Sequence, residues 1–216
     1  YSTHLLSHMF IEPDAGFSYY DDKGILTVVA STQNPHYDRN EVATVLGVPQ
    51  NRVRVIQAAT GGGFGGKLDI SVQGHLALLT YHTKRPVKMV RSRAESTTVS
   101  SKRHPMTMRC KTGATKDGKI LAHDIYMTGD TGAYGSYGPA VIGRAPVHAA
   151  GPYDVPNVRV DAVFCYTNNP MAGAFRGFGV PQASVMHEGQ INAVAEALGM
   201  DPFEVRLINA HKVGSF

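Results

Sequence analysis

The chain has 216 residues, 43% of them hydrophobic and 18% charged, with 23 glycines, 12 prolines and a formal net charge of +4. That length and apolar content describe an ordered globular protein with room for a substantial core, and the glycine and proline content implies many turns. The small positive charge suits an anionic ligand, but the basic residues are scattered, without a stripe or interleaved aromatics, which excludes a nucleic-acid-binding class.

In chain order, His4 and His8 are spaced as a metal-ligating pair on a helix would be, but no accompanying carboxylate completes a known ligand pattern. Glu12-Pro13-Asp14-Ala15-Gly16 is expected as a turn. Phe17–Tyr20 and Ile25–Ser31 form a hairpin across Asp21-Asp22-Lys23-Gly24, and Thr32-Gln33-Asn34-Pro35 closes its second strand. A helix is expected over 38–46 with Val42, Val45 and Leu46 inward, ended by Gly47 and Pro49. The strand 53–57 and a helix over 70–83, with Leu76, Ala77 and Leu79 inward, flank a glycine loop; Val87–Val90 is a further strand.

The second half reads differently. Met106–Thr112 and Ile120–Thr128 alternate apolar and polar residues across Lys116-Asp117-Gly118-Lys119, an antiparallel hairpin signal. Gly129–Gly143 is expected as a long ordered loop, Val158–Tyr166 as a strand, and 180–198 as a helix ended by Gly199. Asp201-Pro202 then starts the last helix as N-cap and first helical residue. The expected fold class is α+β, with mixed sheets and packed helices. Cys110 and Cys165 lie in apolar strand-like runs, so buried free thiols are expected, and two cysteines exclude an iron–sulfur site within the chain. With no signal-like segment and no apolar run long enough for a bilayer, a cytoplasmic location with no membrane partner is expected. The chain starts at Tyr1 and stops at Phe216, which suggests a piece of a longer polypeptide.

The most informative stretch is Ala59-Thr60-Gly61-Gly62-Gly63-Phe64-Gly65-Gly66-Lys67. Bare backbone between a strand and a helix offers several N–H groups to an oxygen or anion, although most such turns bind nothing. It is not a nucleotide phosphate loop, since Leu68 stands where Ser or Thr would follow the lysine. A second glycine–aromatic–glycine junction occurs at Gly177-Phe178-Gly179, preceded by Arg176. Two such corners could hold a polyoxygenated centre, with the rings against a flat substrate. Alternatively, both phenylalanines anchor ordinary turns.

Several segments, in order, resemble the molybdenum-binding region of the xanthine dehydrogenase/aldehyde oxidase family. They are Ser31-Thr32-Gln33-Asn34, Leu46-Gly47-Val48-Pro49, Gly61–Lys67, Arg103-His104-Pro105, Thr167-Asn168, Ala174–Gly179 and Pro181-Gln182. The resemblance implies that 1–216 is a molybdopterin-binding domain, the N-terminal half of the molybdenum-binding region. Molybdenum would be held through a pterin dithiolene without a direct protein ligand, as the cytosine dinucleotide form in a bacterial protein. By the same resemblance, Gln33 hydrogen-bonds a ligand of the metal, Gly62, Gly63, Phe64 and Gly65 contact the cofactor, and the backbone of Arg176 lies beside it. Phe178 then packs the substrate, and Arg144 falls where xanthine-type members keep a substrate-orienting arginine.

One departure bears on specificity: purine-hydroxylating members carry a glutamate where this chain has Leu68. Strict xanthine specificity is therefore not expected; the substrate is expected to be an N-heteroaromatic, purine- or nicotinate-like, and a carboxylate is one group on it that Arg144 could clamp. The family reaction is hydroxylation of an electron-poor sp² carbon with oxygen from water. The family's base, a glutamate in a Gly-Val-Gly-Glu context, is absent, so it is expected on a C-terminal partner half, with FAD and 2Fe-2S clusters on other domains or subunits. The fragment alone is expected to be inactive. The alternatives are an aldehyde oxidoreductase of the same family, a non-redox ligand-binding module, and a non-catalytic scaffold.

Overall fold

In the computed structural model, which describes residues 1–215, the chain divides into two units. One comprises Leu6–Arg103 with Gly173–Arg176; the other comprises Tyr1–Leu5, His104–Ala172 and the chain from Gly177 on.

In the first unit, β1 (Ala15–Tyr20) and β2 (Leu26–Ala30) form the expected antiparallel hairpin, with Asp21 Oδ1 accepting from the Lys23 and Ile25 amides in the turn. The chain leaves β2 through α1 (Pro35–Leu46) and returns along β3 (Val53–Gln57), which pairs parallel with β2. After α2 (Gln73–Thr83), β4 (Val87–Val90) pairs antiparallel with β1, giving the order β3-β2-β1-β4. The core is Leu26, Val28 and Val53 from the sheet against Val42 of α1 and Leu76 and Ala77 of α2.

Three expectations fail here for physical reasons. Helix α1 begins earlier than expected because Asn34 is its N-cap and Pro35 sits in its first turn, so the pair that ends the strand also starts the helix. Val45 and Leu79 are 42% and 48% exposed, since only a narrow stripe of each short helix meets the sheet. Helix α2 starts at Gln73, without a side-chain cap, so the glycine loop is separated from it by Leu68–Val72. A short helix that the sequence reading missed, α3 (Arg93–Val99), carries a capping box between Ser92 and Glu95.

The other unit holds β5 (Met106–Ala114), β6 (Ile120–Gly132) and β7 (Asn157–Tyr166) in that order, antiparallel then parallel. Helix α4 (Gly138–Val147) packs on β7, and α5 (Val180–Leu198) packs on β5 and on α6 (Pro202–Asn209). Met106, Met108, Ile125 and Met127 meet Val141, Ala145, Ala183 and Met186 there. The long loop expected over 129–143 is instead the end of β6 and the start of α4, a helix disguised by Gly138, Pro139, Gly143 and Pro146. Pro139 is tolerated because it lies in the first turn, where its missing N–H has no helical partner.

Both cysteines are free thiols: Cys110 is half-buried against the core beside Met106 and Met108, whereas Cys165 alternates with the core-facing Ala162 and Phe164 and is exposed. His4 and His8 lie on an irregular segment, not on a helix. Among the described residues no helix is long and apolar enough to cross a membrane.

Candidate functional site

Parallel pairing of β2 with β3 brings the carboxyl ends of both strands side by side, the place where open sheets of this kind present ligands. The Ala58 amide donates to Ala30 O at 3.0 Å and Thr60 Oγ1 to Thr32 O at 3.3 Å, so the turn after β2 and the glycine loop after β3 are tied together. Gln33 reaches across that junction. Its backbone N–H donates to Lys67 O at 2.9 Å, and its Oε1 accepts from the Gly65 and Lys67 amides at 2.9 and 3.3 Å. Two backbone donors on one oxygen fix the carboxamide orientation and leave Nε2 as the end that can donate.

Glu12 holds the loop from another direction. Its Oε2 accepts from the Gly61 amide at 2.8 Å, Ser31 Oγ at 2.6 Å and Lys67 Nζ at 2.7 Å. Lys67, only 1% exposed, also donates to Ser31 Oγ at 2.8 Å and lies 4.8 Å above the Phe10 ring. Burial pushes the Glu12 carboxyl upward, but the bonds from Lys67, Ser31 and Gly61 outweigh it and hold the group below the usual carboxylate range.

Within the loop, Phe64 has φ +52° and Gly65 φ +102°. A bulky residue in the left-handed region costs on the order of 1–3 kcal/mol and persists only where its surroundings enforce it. Here the turn is closed by Gly66 N–H to Gly63 O at 2.8 Å, and Phe64 O accepts from the Arg176 amide at 2.9 Å. Arg176 O in turn accepts from Arg103 Nη2 at 2.9 Å, while the Arg103 guanidinium lies 3.8 Å above the Phe175 ring. The expected residues Gln33, Gly63, Phe64, Gly65 and Arg176 thus belong to one hydrogen-bonded assembly in the first unit, and Gly62 lies in the same loop against Phe10 and Phe64. The Arg176 side chain is exposed, so backbone groups make its contribution to that assembly.

In the other unit, Phe178 and Gly179 repeat the geometry with φ +51° and +100°. Gly179 is the N-cap of α5, with no side-chain cap. The half-buried Phe178 ring meets Tyr137 edge-on, with centroids 5.9 Å apart, and the exposed Arg144 of α4 sets its guanidinium 5.6 Å from the Phe178 ring centre. Arg144 and Phe178, far apart in sequence, are therefore neighbours.

Neither Glu12 nor Arg103 was assigned a function from the sequence, since Glu-Pro-Asp suggested only a turn and Arg103 counted only as part of a family-like segment. The available signal was alternation: His8, Phe10 and Glu12 face the loop, while Met9 and Ile11 are 64% and 89% exposed.

A molybdenum-pterin group suits these residues chemically. A Cβ on Gly63 would stand 2.4 Å from Gln33 Oε1, so the backbone there must be bare. The donors around it, glycine-loop amides and a carboxamide, are those an oxygen-rich anionic group requires. Among the described residues no cluster of three or more His, Cys, Asp or Glu could hold a metal directly.

Comparison with protein families matches residues 1–210 to the molybdopterin cofactor-binding domain. The chain belongs to that family. It is 76% identical over 215 residues to the nicotinate dehydrogenase large molybdopterin subunit of Eubacterium barkeri, covering 100% of the chain and 51% of that relative. It is 40% identical over 205 residues to a probable xanthine dehydrogenase subunit of Bacillus subtilis (strain 168), covering 95% of the chain and 28% of the relative. Among solved structures it resembles the aldehyde oxidoreductase of Desulfovibrio gigas, with a TM-score of 0.97 and 30% identity over 100% of this chain and 24% of that one. The molybdopterin-binding domain thus has the expected α+β fold, and spans about half or less of the length of each of these three proteins.

Proposed function

We propose that this molybdopterin-binding domain is the N-terminal half of the molybdenum-binding region of a hydroxylase acting on an N-heteroaromatic acid of the nicotinate type. The observation that carries the proposal is the assembly in which Gln33 Oε1 receives the Gly65 and Lys67 amides while Phe64 O receives the Arg176 amide. It supports Gln33 Nε2, the backbone of 62–65 and the backbone of Arg176 as the groups that hold the cofactor. When bound, the molybdenum cofactor supplies the two-electron oxidation that hydroxylation of an sp² carbon requires.

The chain's own task at the substrate is orientation. Phe178 offers a ring face or edge to a flat heterocycle, and the neighbouring Arg144 offers a fixed positive charge to a carboxylate. Leu68 in place of an acid disfavours a purine, and the 76% identity to a nicotinate dehydrogenase subunit favours a pyridine carboxylate. The TM-score of 0.97 to an aldehyde oxidoreductase favours a second reading, an aldehyde substrate. Under either reading a C-terminal half supplies the catalytic glutamate, iron–sulfur and FAD domains or subunits carry the electrons, the cofactor is the cytosine dinucleotide form if the protein is bacterial, and the assembly is cytoplasmic.

Metal analysis of the full-length protein is the direct test. Molybdenum and an oxidisable pterin should co-purify with it and fall sharply in Gln33→Ala, whereas the 216-residue chain alone should show no dye-linked turnover. A full-length protein without molybdenum would refute the hydroxylase and leave a non-redox binding module.

A further inference from the structure

Both ends of the glycine loop rest on one atom. Glu12 Oε2 accepts from the Gly61 amide where the chain enters the loop and from Lys67 Nζ where it leaves, with Ser31 Oγ as a third donor. The floor of the loop comes from the same short stretch. Phe10 lies under the Lys67 ammonium, and the His8 ring packs so closely beneath Gly66 that a side chain there would come within 2.7 Å of Nδ1. His8 itself is anchored by Nε2 to Ala174 O at 2.7 Å and by stacking on Phe175 at 4.1 Å. The residues in between, Met9 and Ile11, are exposed and make no part of this floor.

We propose that Glu12 is a positioning residue, which sets the shape of the glycine loop, and so its grip on the cofactor, through Gly61 and Lys67. The proposal rests on the molybdopterin-binding reading of the loop. Its physical basis is the buried lysine. With 1% exposure, Lys67 needs a counter-charge within the protein, and Glu12 is its only ion-pair partner among the described residues. That need draws the loop's exit toward the segment that also binds its entry. Gln33 Oε1 then takes the Lys67 amide as well as that of Gly65, so the position of Lys67 is passed on to the residue expected to face the cofactor. A neutral amide at position 12 would remove the counter-charge and could turn an N–H₂ toward Lys67 Nζ or the Gly61 amide, donor against donor.

The test uses the full-length assembly, with Glu12→Gln compared against Val42→Ala. Val42 is fully buried in the same unit's apolar core, a cluster that includes none of Glu12, Ser31, Gln33 or the loop 61–67, so its substitution reports destabilisation alone. Molybdenum per protein, the half-life of molybdenum retention during dialysis, and the midpoint of thermal unfolding are measured for each. Glu12→Gln should shorten retention about tenfold or more, the size seen when groups supporting a metal's immediate surroundings are removed. Val42→Ala should lower the midpoint at least as far while keeping wild-type retention. Retention that follows the midpoint in both variants, or wild-type retention in Glu12→Gln, overturns the proposal and leaves the hydroxylase reading standing. Absence of molybdenum from the wild-type assembly defeats that reading, and the proposal with it. Where Glu12→Gln does not accumulate folded, Ser31→Ala removes one of the three donors and should give a smaller loss of retention in the same direction. Wild-type retention there is again a refutation.

Discussion

The corners Phe64-Gly65 and Phe178-Gly179 have almost the same backbone, φ +52° and +102° in one and +51° and +100° in the other, yet they are secured by different means. The first is pinned by polar groups, with Gln33 taking the Gly65 amide, Glu12 taking the Gly61 amide at the loop's entry and an ion pair to Lys67 closing the loop, and its ring is 48% exposed. The second is pinned by packing, with the ring between Tyr137 and Arg144 and the backbone running directly into α5. One strained conformation thus serves two purposes: at position 64 it shapes a set of amides, and at position 178 it aims a ring.

The largest expected effect tests what the corners share. Gly65→Val and Gly179→Val should each cost about 3 kcal/mol or more, because a Cβ would stand 2.7 Å from Ala174 O or 2.8 Å from Val141 O in a left-handed backbone. Equal losses in denaturant midpoint would support a common backbone requirement; tolerance at one corner would break the parallel. Next in size is Arg144→Met in the full-length enzyme, which should reduce kcat/KM for a heteroaromatic carboxylate about 30-fold, the worth of a charge-assisted hydrogen bond. Turnover of an uncharged aldehyde should change far less, and equal losses would count against substrate orientation.

Glycine at the two rings separates the corners further. Phe178→Gly should destabilise by about 1–2 kcal/mol through lost packing, whereas Phe64→Gly should be neutral or up to about 1 kcal/mol stabilising as strain is relieved. The smallest effect depends on pH and belongs to the unit carrying the first corner. Burial raises the Asp38 carboxyl to about 6 from 3.8, above its unfolded value, so its contribution is fully present below about pH 3.8 and lost as pH rises through 6. Asp38→Asn should therefore stabilise by about 1 kcal/mol at pH 7 and by nothing near pH 4. Glu12 has the opposite sign. Its depressed carboxyl stabilises above the usual carboxylate range and stops doing so as the medium becomes more acidic, and urea midpoints across pH distinguish the two.

Much of this was legible because local chemistry decided it. The start of α5 after Gly179, its end at Gly199 and the Asp201 cap of α6 follow from residues whose conformational preference is strong. Helix α4 was not legible, since Gly138, Pro139 and Pro146 argue locally for a loop and only packing of Val141 and Ala145 on the sheet overrides them. Helix α3 could have been found from Ser92 and Glu95. At the site, the glycine loop and Gln33 stood out because bare backbone and a resemblance marked them. Glu12 did not, because its role depends on a lysine 55 residues away, a pairing that only the fold creates.

The left-handed phenylalanine at 64 also makes that position a built-in reporter. In a randomised library grown only for expression and heat survival, glycine and asparagine should take over there, since they occupy φ +52° at little cost. A library grown for metal-dependent turnover should bring the aromatic back. Sequencing that single codon would then tell which pressure had acted.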